Sequence, residues 1–458
     1  MVQRHGCSAL YQRHDGHRIC DPGDWLMLGW LGIARLGLVQ LSLGAIVVLT
    51  TATMNRVMVV ELAMPAILPG LLVSLYYGTQ FLRPRFGHGA DQGGRRTPWI
   101  LAGVGLLAAG AIGASLSVGL MERVAWAGIA AAVPSFLLIG LGIGAAGTNL
   151  LALLSTRVSA ERQAPAGSLV WIMMIFGLAV TGITAGQLLD PYSHTRLVLV
   201  TLGVCAVACT LSFIGVWGQE RGEKRTIEAA DGSFKDVIRD LWAEPRVRVF
   251  TIFVFASMLA YNLQDLILEP FAGHVFGLTV GESTKLGGMH HAGALVGMIA
   301  VLGCGTVVAR WVIVPIRVWV VGGCLLSGLS LVGLAYGGMH AQTWPIAANI
   351  FTLGLANGAF AVAAIGAMMG LAREGNDGRE GLRMGLFGAA QAIAFGVGSF
   401  AGTALVDIMR LITPQDALAY GTVFTVEGFV FLVAAALALR LTSPQADARA
   451  RPAFMPGE

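Results

Sequence analysis

Charge is scarce in this chain. Only 12% of its 458 residues are Asp, Glu, Lys or Arg, where a soluble domain carries about 25%. So few charges cannot cover a soluble surface of this size. A soluble enzyme, a nucleic-acid binder and a disordered chain are all excluded. Cysteine is sparse too. Cys7, Cys20, Cys205, Cys209, Cys304 and Cys324 form no paired framework, and free thiols are expected. The first 24 residues are polar and hold no apolar stretch, so no cleavable signal is read. Nowhere is there a nucleophile–base pair, a phosphate loop or a carboxylate pair with catalytic spacing. His14, His17 and Cys20 lack a fourth ligand for a metal. These absences leave an enzyme reading without support.

Apolar residues are abundant instead. They make up 55% of the chain, with mean hydropathy +0.72 and 62 glycines. Runs long enough to cross a hydrocarbon core of about 30 Å recur along the whole length. Lipid offers no partner to backbone N–H and C=O groups, so these runs must be helices. Twelve spans are expected, near 36–57, 64–82, 98–120, 125–153, 168–189, 197–218, 246–268, 285–308, 315–337, 344–371, 383–406 and 417–440.

Basic residues set the orientation. With both termini cytoplasmic, that side holds 25 of the 30 Lys and Arg residues, a strong positive-inside bias. The same map leaves net +8 inside and −4 outside, which predicts contact with anionic headgroups on the cytoplasmic face and none with nucleic acid. One long polar segment, 219–245, follows six spans and precedes six. Inside it Phe234, Val237, Ile238, Leu241 and Trp242 have the spacing of a short amphipathic surface helix. Residues 25–35 are read as a second interfacial stretch anchored by Trp25 and Trp30. The expected organisation is a tail and interfacial helix (1–35), a six-helix half (36–218), a cytoplasmic linker (219–245), a second half (246–441) and a tail (442–458).

The loop between spans 2 and 3 carries Gly87, Asp91, Gly94, Arg95 and Arg96. It resembles the major facilitator loop signature, with Gln92 where a base is usual. The two glycines suit a tight turn between antiparallel helices. Asp91 can cap the next helix or pair across the gap between halves, and Arg95 and Arg96 hold the cytoplasmic side. This resemblance implies an all-α membrane protein with the major facilitator fold of two six-helix halves.

A more specific likeness lies in the blocks RLGLVQLSLGAIVVLTTATMNRVMVVELAMP (35–65), QDLILEPFAGHVFG (264–277) and RMGLFGAAQAIAFGVGSFAGTALVD (383–407). Together with the sequence around the 2–3 loop, they resemble the PucC/LhaA family, the bacteriochlorophyll-delivery branch of the major facilitators, over nearly all of 35–440. The resemblance implies an assembly factor for light-harvesting antenna complexes in the inner, or intracytoplasmic photosynthetic, membrane of a bacterium. It implies handling of bacteriochlorophyll and carotenoid, and antenna polypeptides as partners. Pigment-synthesis enzymes and the membrane insertion machinery are further partners it suggests.

Several residues stand out on their own. Asn55, Arg56 and Glu61 are expected to end span 1, and Gln264, Asp265 and Glu269 to end span 7, on the same outer side. They read either as a polar gate or docking patch or as a structural lock, and both readings place Arg56 near Asp265 or Glu269. Glu427 falls in the middle of span 12, where an ionisable group invites a functional reading. It is either a proton-coupling acid or a neutral carboxyl hydrogen-bonded to a neighbouring helix. His290 and His291 in span 8 are candidate axial ligands for a chlorin magnesium, or interhelical hydrogen-bonding groups. Gly140, Gly144 and Gly147 on span 4, and Gly293 and Gly297 on span 8, mark close helix contacts. Two rivals to antenna assembly remain open at this stage. One is a proton-coupled transporter of a small amphiphile; the other is a pigment-free scaffold acting through the 219–245 linker.

Overall fold

A computed structural model describes residues 28–83, 86, 95–158, 160–220, 242–306, 315–373 and 380–441. These form twelve helical segments. α1 is Trp30–Glu61, α2 Ile67–Leu82, α3 Thr97–Arg123, α4 Ala125–Arg157, α5 Ala160–Leu188 and α6 His194–Val216. α7 is two helices, Pro245–Leu263 and Leu268–Phe276. α8 is Val280–Thr306, α9 Ile316–Met339, α10 Ile346–Arg373, α11 Glu380–Ile412 and α12 Asp416–Leu441. Eleven are long and apolar enough to cross a membrane, and α2 is a shorter apolar helix. The protein is a multi-pass α-helical membrane protein.

Three expectations change. α1 begins at Trp30, ahead of the expected residue 36, so Trp30–Arg35 are its first turns. Ile33 and Leu36 share the buried face of Val39 and Leu43, which draws them into the same helix. Arg35 reaches across to the end of α6, donating to the Ile214 and Trp217 carbonyls at 2.7 Å each. The second change is in α7, expected as one continuous span. It breaks at 264–267 and resumes with Pro270 in the first turn, where a missing N–H costs nothing. The third is that the Gln264–Glu269 block does not end its span, because α7 runs on to Phe276, whereas Glu61 does end α1. The amphipathic helix expected over Phe234–Trp242 lies outside the described residues except for Trp242.

The apolar core divides into two large clusters, with a small third one where Ile175 of α5 packs with Ala294 and Met298 of α8. One cluster gathers residues of α1 to α6, joined only by Leu266 and Val280 from beyond. The other gathers residues of α7 to α12. Two seams join them. Along α5 and α8, Gly182 faces Gly288 and Gly186 faces Gly281 so closely that an added Cβ would meet backbone at 2.5–2.7 Å. Along α2 and α11, Ser74 Oγ donates to the Gly396 carbonyl at 2.9 Å. The Asp407 carboxylate accepts from the Ala66 and Ile67 amides at 3.0 and 2.7 Å. Asp407 thus caps α2 from the far end of the chain, satisfying amides that open a helix and opposing its dipole.

Within the second cluster, Gly293 and Gly297 on α8 lie against α10, within 2.2 Å of where a Cβ would meet a backbone carbonyl. That is the close contact expected of them. Gly140 packs on α2 at Tyr76 and Thr79 and Gly144 faces Phe86, whereas Gly147 opens onto free space. The described cysteines, Cys205, Cys209, Cys304 and Cys324, are free thiols.

Candidate functional site: a polar junction between α1, α7 and α8

Two π-helical turns interrupt α1, at Leu49–Thr53 and Val57–Glu61, with Met54–Arg56 between them. A π-turn inserts a residue and rotates the helix face that follows, and such turns gather at functional sites. Here they aim two successive polar residues at α7. Asn55 is fully buried, and its Nδ2 donates to the Leu266 carbonyl, an acceptor freed by the break in α7. Arg56 is 2% exposed. Its Nη1 donates to Glu61 Oε1 and its Nη2 to the Leu278 carbonyl at 2.7 Å.

The acceptor at Leu278 belongs to a helix end. Gly277, at φ +67°, turns the chain out of α7 in the left-handed conformation that favours glycine. Arg56 places a cation where the α7 carbonyls point outward, the favourable sign for the helix dipole. Its guanidinium lies 3.0 Å from where a Cβ on Gly273 would stand, so that position has little room for a side chain.

Glu269 sits one turn before Gly273. It is 3% exposed, and Thr284 Oγ1 of α8 donates to its Oε2 at 3.5 Å. Thr284 also lies 3.2 Å from Thr53 Oγ1. A chain Thr53–Thr284–Glu269 therefore links α1, α8 and α7. Arg56 acts electrostatically on Glu269, yet its ion pair is with Glu61. The expected approach of Arg56 to Glu269 is thus electrostatic, and its direct partner is Glu61, five residues on at the end of its own helix. Gln264 is buried on the break with neither amide atom partnered. Asp265 acts electrostatically on Tyr76, Tyr77 and Tyr261 as well as on Glu269. Tyr77 and Tyr261 flank Phe395, with ring centroids 5.6 and 6.3 Å away. Tyr192, in the turn between α5 and α6, feels the same junction. Burial pushes its hydroxyl up, and the Glu61 and Glu122 carboxylates add to this.

His290 and His291 part company. His290 is buried, and its Nε2 accepts from Asn357 Nδ2 of α10 at 3.3 Å. Ser327 Oγ of α9 then donates to Asn357 Oδ1 at 2.7 Å, completing a polar chain across three helices. His291 is half-buried, with Nδ1 unpartnered among the described residues. It lies one turn beyond Gly287, the glycine that Glu269 Oε1 approaches.

Glu427 is fully buried, and neither carboxyl oxygen has a hydrogen-bond partner among the described residues. The interhelical hydrogen bond expected for a neutral Glu427 is therefore not formed there. Phe424 and Phe431, on the same face of α12, pack on Phe271 and Phe360.

Of the loop signature, Gly87, Asp91 and Gly94 lie outside the described residues. Arg95 is exposed ahead of α3, next to Arg96. The start of α3 is capped by Glu220, whose carboxylate accepts from the Arg96 and Thr97 amides at 2.6 and 2.9 Å.

One cluster escaped sequence reasoning. Arg410 Nε donates to Asp416 Oδ1 and its Nη2 to His274 Nδ1, both at 2.8 Å, and Tyr420 packs against the same guanidinium. Arg410, Asp416 and His274, with Asp407, Met64, Pro65 and Leu411, line a cleft of about 600 Å³ between the α1–α2 turn and α11–α12. No spacing in the sequence links Arg410 to His274.

No group of three or more His, Cys, Asp or Glu residues suited to a metal ion occurs among the described residues. The junction can position, pair and release charge.

Comparison with known proteins follows this geometry. The family described as PUCC protein matches residues 53–446. A Rhodobacter capsulatus protein named bacteriochlorophyll synthase 44.5 kDa chain is 48% identical, covering 94% of this chain and all of that one. Protein PucC of the same organism is 31% identical, covering 89% of this chain and 92% of its own. Among solved structures, a D-xylose–proton symporter aligns with TM-score 0.71 at 12% identity, covering 90% of this chain and 97% of its own. A bacterial homologue of the lysosomal transporter Spinster aligns at 0.66 and 13%, covering 93% and 98%. At such identities the likeness concerns the fold alone.

Proposed function

The chain belongs to the PUCC protein family, and from that premise we propose that it is an assembly factor for light-harvesting complexes, binding bacteriochlorophyll and delivering it to antenna polypeptides within the membrane. Carotenoid is a second pigment it would carry. The observation that bears the most weight is the 48% identity, over the full length of a relative, to a protein named as a chain of bacteriochlorophyll synthase. A chain named for pigment synthesis, in a family of membrane proteins tied to photosynthesis, fits a hand-over between a pigment-synthesis enzyme and the antenna. No catalytic role is assigned, and the step is binding and transfer with no covalent change.

The two apolar clusters and the two seams between them support the reading of the fold as two six-helix halves. The basic residues support cytoplasmic termini. A chlorin with its isoprenoid tail buries far more apolar than polar surface, so its site is a greasy groove with one or two polar contacts. Of the two candidate ligands, His291 has the nitrogen to offer, because His290 Nε2 is engaged by Asn357.

Two measurements test this reading. The protein gently purified from its native membrane should carry near-infrared absorbance, and His291→Phe should deplete it without loss of helical content. Deleting the gene should reduce an assembled antenna complex while pigment synthesis continues. A deletion strain that assembles every antenna and instead gains or loses a water-soluble metabolite defeats the proposal. That outcome favours the second reading, secondary transport, for which the symporter-like fold and the unpartnered Glu427 speak.

A further inference from the structure

The polar junction has more hydrogen-bonding capacity than its own groups consume. Asn55 Oδ1, Gln264 Oε1 and Nε2, Glu269 Oε1 and Arg56 Nε are buried without a partner among the described residues. Buried polar atoms are paired in the great majority of folded proteins, so five on adjoining helices mark a place built to meet something else. The charges indicate what. Arg56 is matched by Glu61. Glu269 brings one further negative charge; Arg56 acts on it electrostatically, but its direct partner is a threonine hydroxyl at 3.5 Å. An isolated buried carboxylate is costly unless it is paired or neutralised. Three of the five free atoms are oxygens, the donor type that suits a hard cation.

We propose that Glu269, with the amide oxygens of Asn55 and Gln264, holds a single positive charge, a sodium ion or a proton, at the junction of α1, α7 and α8. The ligands come from both sides of the bundle. Asn55 is already tied to the α7 break through Leu266, and Glu269 is tied to α1 through Thr284 and Thr53. Occupancy therefore strengthens the closure of the two apolar clusters at this end. The charged groups that act on Glu269 are Arg56 on α1 and Asp265 in the break of α7. Arg56 makes its hydrogen bonds to Glu61 and Leu278 and reaches Glu269 only electrostatically, so the place directly on the Glu269 carboxylate is open to an external cation. This site is independent of pigment handling and stands or falls separately from it.

The test is thermal unfolding of the purified full-length protein in detergent, with sodium chloride against choline chloride at equal ionic strength, at pH 6 and pH 8. If the charge is sodium, the unfolding temperature at pH 8 rises with sodium, by about 5 °C at a hundredfold excess over the dissociation constant. If it is a proton, sodium has no effect and the unfolding temperature falls as pH rises. In either case Glu269→Gln, neutral and of the same shape, loses the response that wild type shows, and Asp265→Asn keeps it. Gln264→Leu, which leaves the Asn55 bond intact, moves the midpoint of the response about tenfold. A Glu269→Gln protein with the same sodium and pH responses as wild type overturns the proposal. So does a wild-type protein indifferent to both, or a Gln264→Leu midpoint that does not move.

Discussion

Arg56→Ala is the perturbation that tests the junction most directly. The guanidinium is 2% exposed and has three attachments: Glu61, the Leu278 carbonyl and the electrostatic reach to Glu269. Their loss is unequal. Glu61 is 38% exposed, so water takes over most of its solvation, and losing that pair costs about 0–1 kcal/mol. The Leu278 carbonyl, half-buried just past the end of α7, loses a hydrogen bond from a charged donor, worth about 1.5–3 kcal/mol. Glu269 loses the cation nearest to it and becomes harder to keep ionised. The total expected is about 2–4 kcal/mol, a fall in unfolding temperature of about 4–8 °C on the slope of large domains. Arg123 is the control. It is exposed at the end of α3, and Arg123→Ala should stay within about 0.5 kcal/mol. Thermal unfolding of both variants in the same detergent decides the matter. Equal, small shifts would refute the reasoning, because they would mean that the Arg56 site is hydrated and the Leu278 carbonyl finds water.

Two further expectations follow from the same geometry. Asp407→Ala strips both caps from the first turn of α2 and should cost about 1 kcal/mol, within the range of helix-cap losses. Asp407→Asn should recover part of this, and identical unfolding temperatures for Asp407→Ala and wild type would show that α2 does not depend on the cap. A cysteine placed in the linker, Gly232→Cys, should react with a membrane-impermeant thiol reagent only from the cytoplasmic side. Labelling from the opposite side alone would invert the topology read from the basic residues.

Much of this protein was legible in its residues one helix at a time. The apolar runs gave twelve segments because lipid leaves a backbone no alternative to internal hydrogen bonding, and that constraint acts locally. Gly293 and Gly297 announced a close contact for the same reason, since a missing side chain matters wherever another helix passes. Asn55, Arg56, Gln264 and Glu269 stood out because polar groups in apolar runs are expensive. What they pair with could not be read. Arg56 meets Leu278 across 222 positions and Asp407 meets Ile67 across 340, and nothing in either segment encodes the other.

The break in α7 and the π-turns of α1 belong to the same class. Both shift the helix faces on which a spacing argument depends, so Asn55 meets the Leu266 carbonyl in the α7 break while Glu269 meets Thr284 of α8. His290 and His291 were equivalent as letters, and packing alone gave one an asparagine and left the other free. Composition and local pattern determined that the chain spans a membrane, where it crosses and which residues are costly to bury. Only the tertiary structure decided which of those residues share a junction, because pairing between helices is set by the faces they present after folding.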